Sequence, residues 1–160
     1  MALTMAAIQG MFSVIIPARN QFEDLQRLLG DLTPAAIDGL IREVLVADGG
    51  SEDPTAVFCD DAGVELVQAG LVETAQRAKS GWLLLLPVTF RADSNCLKSL
   101  KDFSAGRLQP ARYAGVKPRG FLARRALGLI IAKSELIGTE ETRDLMVLLK
   151  RFARTARRII

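Results

Sequence analysis

The sequence predicts an α/β fold, an open and mostly parallel sheet with helices on both faces. Three observations carry this. Short β-branched or leucine-rich runs recur, each ended by a proline, glycine or acid. Segments with helical spacing separate those runs. The composition, 49% hydrophobic and 24% charged over 160 residues, is that of one globular domain with its own core. Aromatic residues are 6% of the chain, so that core is built mainly of Leu, Val, Ile and Ala.

Phe12-Ser-Val-Ile-Ile-Pro17 is the first run and reads as a buried strand. Phe22, Leu25, Leu28, Leu29 and Leu32 then recur at helical spacing, and Pro34 and Gly39 punctuate the connection. Glu43-Val-Leu-Val-Ala-Asp48 is a second strand, stopped by Gly49-Gly50. Asp53-Pro54 starts a helix, because Asp caps free backbone donors and Pro is tolerated in the first turn. That helix runs to about Asp61, and Gly63 ends it. Val64-Glu-Leu-Val67 is a third strand, 72–80 a helix, and 82–86 a fourth, fully buried strand. Beyond them the spacing predicts a helix near 95–105, a strand at 111–116, a helix near 121–133 and a final helix from about Thr139. No repeat, low-complexity stretch or linker divides the chain. It therefore reads as a single domain over 1–160, with 1–11 as an N-terminal extension and 140–160 as a basic C-terminal helix.

Several function classes are excluded. The chain has no His, which removes Ser–His and Cys–His catalysis and the commonest zinc sites. Cys59 and Cys96 lack metal-ligand spacing and read as buried free thiols. There is no G-x-G-x-x-G and no Walker lysine motif. The N-terminus lacks a basic leader region, and no apolar run approaches the ~20 residues of a membrane span. The expected location is cytoplasmic. Charge is divided unevenly: residues 1–80 hold 5 Lys/Arg and 12 Asp/Glu, residues 81–160 hold 16 and 6. The basic half suits an anionic ligand or surface, or simply carries solvated cations.

In a sheet of this type ligands bind beyond the carboxyl ends of the strands. The segments to search are 17–21, 48–53, Gly70 and 87–93. Asp48-Gly-Gly-Ser51 follows a strand and precedes a capped helix. Paired glycines let a ligand approach the backbone, and a strand-end acid can accept from a ribose or base. An ordinary strand-to-helix turn has the same composition.

Read in order, Phe12-Ser-Val-Ile-Ile-Pro-Ala-Arg-Asn20, Glu43-Val-Leu-Val-Ala-Asp-Gly-Gly-Ser-Glu-Asp-Pro-Thr55 and Gly81-Trp-Leu-Leu-Leu-Leu86 resemble the family 2 glycosyltransferases, in particular their short bacterial branch. The resemblance implies a GT-A-like, Rossmann-type fold that binds a nucleotide or nucleotide-diphosphate-sugar. Carried over by position, it assigns Pro17, Ala18, Arg19 and Asp48 to the nucleotide, with Gly49 and Gly50 beside them. Gln21 stands where the family usually has Glu.

After the fourth strand the family places a D-x-D motif for a divalent ion, usually Mn or Mg. Pro87 and Thr89 occupy those positions here, so no metal cofactor is expected. Asp93, four residues further, is the nearest later acid. Arg91 is a candidate to offset phosphate charge directly, or is a plain exposed arginine. Gly128-Leu-Ile-Ile-Ala-Lys-Ser-Glu-Leu-Ile-Gly138 resembles the stretch where the family has a strand, a short helix and a glycine. Aligning Asp144-Leu145 then puts Thr142 in the place of the general base, with Glu141 or Glu140 as the stand-in and Glu141 the catalytic candidate. A helix N-terminus also explains these acids.

The tail 145–160 has five cations and no acid. As a helix it would gather Leu145, Leu148, Leu149, Phe152, Ala156 and Ile159 on one face. Such a face can rest on anionic lipid at the inner side of a membrane, or dock on the domain. Nucleic acid is not expected as a partner, since aromatics are not interleaved with the cations. Two readings stand: a degenerate glycosyltransferase domain that binds nucleotide with its transfer groups missing, or a non-enzymatic scaffold that uses its basic half on a protein or membrane. A third keeps metal-independent transfer, with Arg91 or other cations replacing the ion.

Overall fold

The computed structural model describes residues 11–159, so the expected N-terminal extension lies outside the described residues apart from Met11. The strands are β1 (Phe12–Ala18), β2 (Ile41–Asp48), β3 (Glu65–Val67), β4 (Trp82–Leu85), β5 (Ala111–Ala114), β6 (Leu127–Ala132) and β7 (Arg157–Ile159). The helices are α1 (Phe22–Ile37), α2 (Thr55–Ala62), α3 (Leu71–Arg77), α4 (Ser94–Ala105), α5 (Lys133–Ile137) and α6 (Leu145–Arg151). The strands form one sheet in the order β3-β2-β1-β4-β6-β5-β7. β3, β2, β1 and β4 run parallel, β6 is antiparallel to β4 and to β5, and β7 is parallel to β5.

The central strands are continuous apolar runs because both of their faces are covered. Val14 and Ile16 of β1, with Leu84 of β4, join a core with Leu25 and Leu28 of α1, Cys59 of α2 and Leu100 of α4. Ile15, Leu83 and Leu85 point the other way, toward Leu71 and Ala75 of α3, Leu136 of α5 and Leu148 of α6. The period-two alternation of a strand thus builds two cores from one run. Cys59 is buried and Cys96 half-buried, both as free thiols.

Two expectations fail in the second half. The helix near 121–133 is instead a loop followed by strand β6 and the short helix α5. Leu127–Ala132 is apolar at almost every position, a pattern that periodicity alone cannot assign. Its burial decides it: Leu129 and Ile131 enter one core and Ile130 the other. The strand, short helix and glycine that the family resemblance implied for 128–138 are what the structure shows.

The second failure is the helix over 140–160. α6 begins at Leu145 under an Asp144 cap and ends at Arg151. Leu145, Leu148 and Leu149 are buried against the sheet, so the apolar face proposed for lipid is already covered. Beyond a turn, the chain adds β7 to the open edge of β5.

Candidate functional site

At the carboxyl ends of β1 and β2, the loops 19–21 and 49–53 hold one another. Asn20 has a left-handed backbone (φ 51°), which Asn tolerates better than most residues. Its N–H donates to Ser51 Oγ at 2.9 Å, and its Oδ1 accepts from the Glu52 N–H at 2.7 Å. Asp53 accepts from the Phe22 N–H through Oδ2 and from the Thr55 N–H through Oδ1, each at 3.1 Å. One carboxylate therefore ties the start of α1 to the start of α2. The Thr55 hydroxyl, foremost, and these N–H donors hold the Asp53 pKa below its usual value, with desolvation opposing them.

Asp48 is buried, and both its oxygens are engaged. Oδ2 accepts from the N–H groups of Gly50 and Ser51 at 3.3 and 3.1 Å, and Oδ1 accepts from the Ser51 hydroxyl. The acid thus closes the Gly49-Gly50 turn, in which Gly50 has φ +96°. A Cβ on Gly49 would stand 3.2 Å from the Arg19 Cβ. The small residue there makes room for the arginine stem.

Beyond these loops opens a cleft of about 770 Å³. Pro17, Ala18, Ala47, Gly49 and Ala69 form a floor of small residues, with Pro87, Val88 and Thr89 following β4. Arg124 and Arg125 lie on one wall, and Arg143, Asp144 and α6 on another. Arg19 and Gln21 complete the rim. Asp144, the lining acid, is used by its own helix, its Oδ1 accepting from the Met146 N–H at 2.8 Å. The guanidinium groups of Arg19, Arg124, Arg125 and Arg143 make no hydrogen bond or ion pair among the described residues. Four free cations therefore surround a cleft whose one lining acid is already engaged.

Of the residues singled out in the sequence, Pro17, Ala18, Arg19 and Gly49 meet in this cleft, while Asp48 and Gly50 lie behind it in the turn. Arg91 is elsewhere. Its Nε and Nη2 pair with Asp31 at 2.8 and 3.2 Å, and that carboxylate, foremost, raises the arginine's pKa. Asp93 caps α4, accepting from the Cys96 N–H at 2.8 Å, which lowers its pKa. Glu141 caps α3 from a distance: Oε1 accepts from Val72 N–H and Oε2 from Glu73 N–H, each at 2.8 Å. Gly70 makes this contact possible, since a Cβ there would stand 2.3 Å from Glu141 Oε1.

The stretch after β4 offers a single hydroxyl, that of Thr89, where carboxylates are needed. Among the described residues no three His, Cys, Asp or Glu side chains come together to hold a metal.

The architecture has counterparts among solved structures. Glucosyl-3-phosphoglycerate synthase from Mycobacterium tuberculosis, in complex with Mn2+, uridine diphosphate and glucosyl-3-phosphoglycerate, superposes with a TM-score of 0.64 at 16% identity. The match covers 98% of this chain and 72% of that one. The same synthase with uridine diphosphate alone gives 0.67 at 15% identity, over the same shares. The fold is GT-A-like. A mycobacterial protein matches over 69% of this chain and 42% of its own, at 18% identity and a TM-score of 0.52. No family model and no curated protein matches the sequence. At these identities the likeness establishes the GT-A-like fold and leaves the site to its own residues.

Proposed function

We propose that this GT-A-like domain binds a nucleoside diphosphate or a nucleotide-sugar in the cleft, and that arginines, not a metal, meet the diphosphate. The observation that carries the reading is the set of four unpaired guanidinium groups around a small-residue floor at the carboxyl ends of β1 and β4. Guanidinium pairs with phosphate oxygens through two parallel hydrogen bonds and stays charged at any working pH. Arg124, Arg125 and Arg143 take the role that the sequence suggested for Arg91. The synthases of the same fold, solved with uridine diphosphate, support a nucleotide as the ligand class.

The reading stops at binding. Sugar transfer needs a base for the acceptor hydroxyl. Glu141 spends both oxygens on the N-terminus of α3, and Asp144 caps α6.

The test is thermal shift of the purified chain against UDP, GDP, dTDP and their sugars, with and without Mn2+. A ligand at about 100 times its Kd stabilises by ~2.7 kcal/mol. The expected result is a shift with one base, independent of Mn2+ and lost in R124S/R143S. Those arginines are exposed, so the variant keeps its fold. Asp48→Ala is the poorer probe, because that acid also builds the turn. No shift across the panel would favour a scaffold on the same fold. A shift that needs Mn2+ would overturn the arginine assignment.

A further inference from the structure

The loop between β5 and β6 presents an apolar dipeptide to solvent in a way its own turn chemistry does not favour. The Ala123 N–H donates to the Gly120 carbonyl at 3.3 Å, closing a turn with Phe121 and Leu122 at its two central positions. Gly120 has φ +127°. Central turn positions favour Gly, Pro, Asn, Asp and Ser. Here they hold Phe121 and Leu122, exposed at 101% and 87%. Ile37 and Val57, the other strongly exposed aliphatics among the described residues, are isolated on separate helices.

The loop's base is fixed while its tip projects. The Gly115 N–H donates to the Ala126 carbonyl at 2.9 Å, and the Val116 N–H to the Arg91 carbonyl at 2.8 Å. A Cβ on Gly115 would meet that same carbonyl at 2.8 Å, so the base lies hard against the domain. Around the tip the charge has one sign. Lys117, Arg119, Arg124 and Arg125 flank it, and no acid occurs anywhere between Asp102 and Glu135.

We infer that the loop 115–126 docks the domain on an anionic lipid surface, with Phe121 and Leu122 entering the interface and Lys117 and Arg119 on the headgroups. Apolar tips inside a cationic ring match a bilayer surface, where hydrocarbon lies beneath negative charge. No helix among the described residues is long and apolar enough to cross a membrane, which suits a contact at the surface. Arg124 and Arg125 also line the cleft, so docking sets its mouth beside the headgroup layer. The inference is independent of the nucleotide reading.

Sedimentation of the full chain with vesicles tests it. The chain should pellet with equimolar phosphatidylcholine and phosphatidylglycerol and stay in solution with phosphatidylcholine alone. F121S/L122S should weaken binding about ten-fold or more, and K117Q/R119Q about five-fold per cation removed. K150Q/R154Q on the tail should leave binding unchanged. All these side chains are exposed, and an unchanged Tm confirms that each variant is folded. Failure of the wild type to pellet with anionic vesicles, or equal pelleting of F121S/L122S, would overturn the inference. Equal losses in the tail and loop charge variants would show unspecific charge attraction and overturn it too. A dimer that F121S/L122S reduces to monomer, without vesicle binding, would overturn it as well and assign the turn to a second copy of this chain.

Discussion

The two halves of the sheet use their charges in opposite ways. In the first half six of the twelve acids have a side-chain partner among the described residues, Asp48 and Asp53 at the site's loops included. Asp48 and Asp53 close turns, Glu43 accepts from the Ser13 hydroxyl at 2.6 Å, and Asp24 and Glu65 pair with Arg27 and Arg77. In the second half, Arg124, Arg125 and Arg143 are left unpaired around the cleft. At the site itself the two halves differ: Asp48 and Asp53 build the loops, while Arg124, Arg125 and Arg143 are free for a ligand. A carboxylate engaged by backbone N–H groups and a guanidinium facing open space differ in what each can still bind.

The sharpest way to break this comparison is to ask whether the halves unfold separately. Leu84 sits on β4 between them, paired with Val14 of β1 and Ile130 of β6, and is fully buried. Leu84→Ala should cost about 2–5 kcal/mol, with a single transition in urea followed by circular dichroism. Two separated transitions would show that the halves are independent units, and the single-domain account would fail.

The seam on the other face is the next test. Glu141, 69 residues from Val72, ties the loop before α6 to the start of α3. Gly70→Ala would put a Cβ 2.3 Å from Glu141 Oε1 and 2.9 Å from the Thr142 carbonyl. The expected cost is about 1–3 kcal/mol. Glu141→Ala should cost about 0.5–2 kcal/mol, as for loss of a helix cap. The double variant should fall short of the sum, because removing the carboxylate relieves part of the clash. Strict additivity in urea melts would show that the two residues do not meet.

These tests also mark how far the sequence could be read. Strands β1 to β4 and helices α1 to α4 follow from periodicity, because each run is short and bounded by Pro, Gly or a capping Asp. The search for a site at the carboxyl ends of β1, β2 and β4 found part of the cleft's floor, Pro17, Ala18 and Gly49, and Arg19 on its rim. Its other walls, Arg124, Arg125 and Arg143, come from segments far along the chain, and only the tertiary fold brings them there. The basic second half was a signal for all three, and the acid-free stretch between Asp102 and Glu135 a closer one for Arg124 and Arg125. Arg91 and Glu141 illustrate the converse. Their residue types suited phosphate and base chemistry, but Asp31 and the α3 N-terminus, 60 and 69 residues away, engage them first.

The smallest effect compares two capping acids, one from each half. The Asp53 and Asp93 pKa values are both lowered, by the Thr55 hydroxyl and by the Cys96 N–H respectively. A lowered native pKa gives stability that is present above the unfolded value, near 3.8, and lost as pH falls through the native one. Asn in place of either acid removes the charge but keeps one acceptor oxygen. At Asp93 that is sufficient, since Oδ1 alone receives the Cys96 N–H. At Asp53 it is not, because Oδ1 serves Thr55 while Oδ2 serves Phe22. The Tm of Asp53→Asn should therefore fall further below wild type at pH 7 than that of Asp93→Asn. Both gaps should narrow as the pH drops below about 3.8. Equal gaps at pH 7 would mean that the tie between the starts of α1 and α2 adds nothing beyond an ordinary cap, and that the loops of the first half are not braced as described.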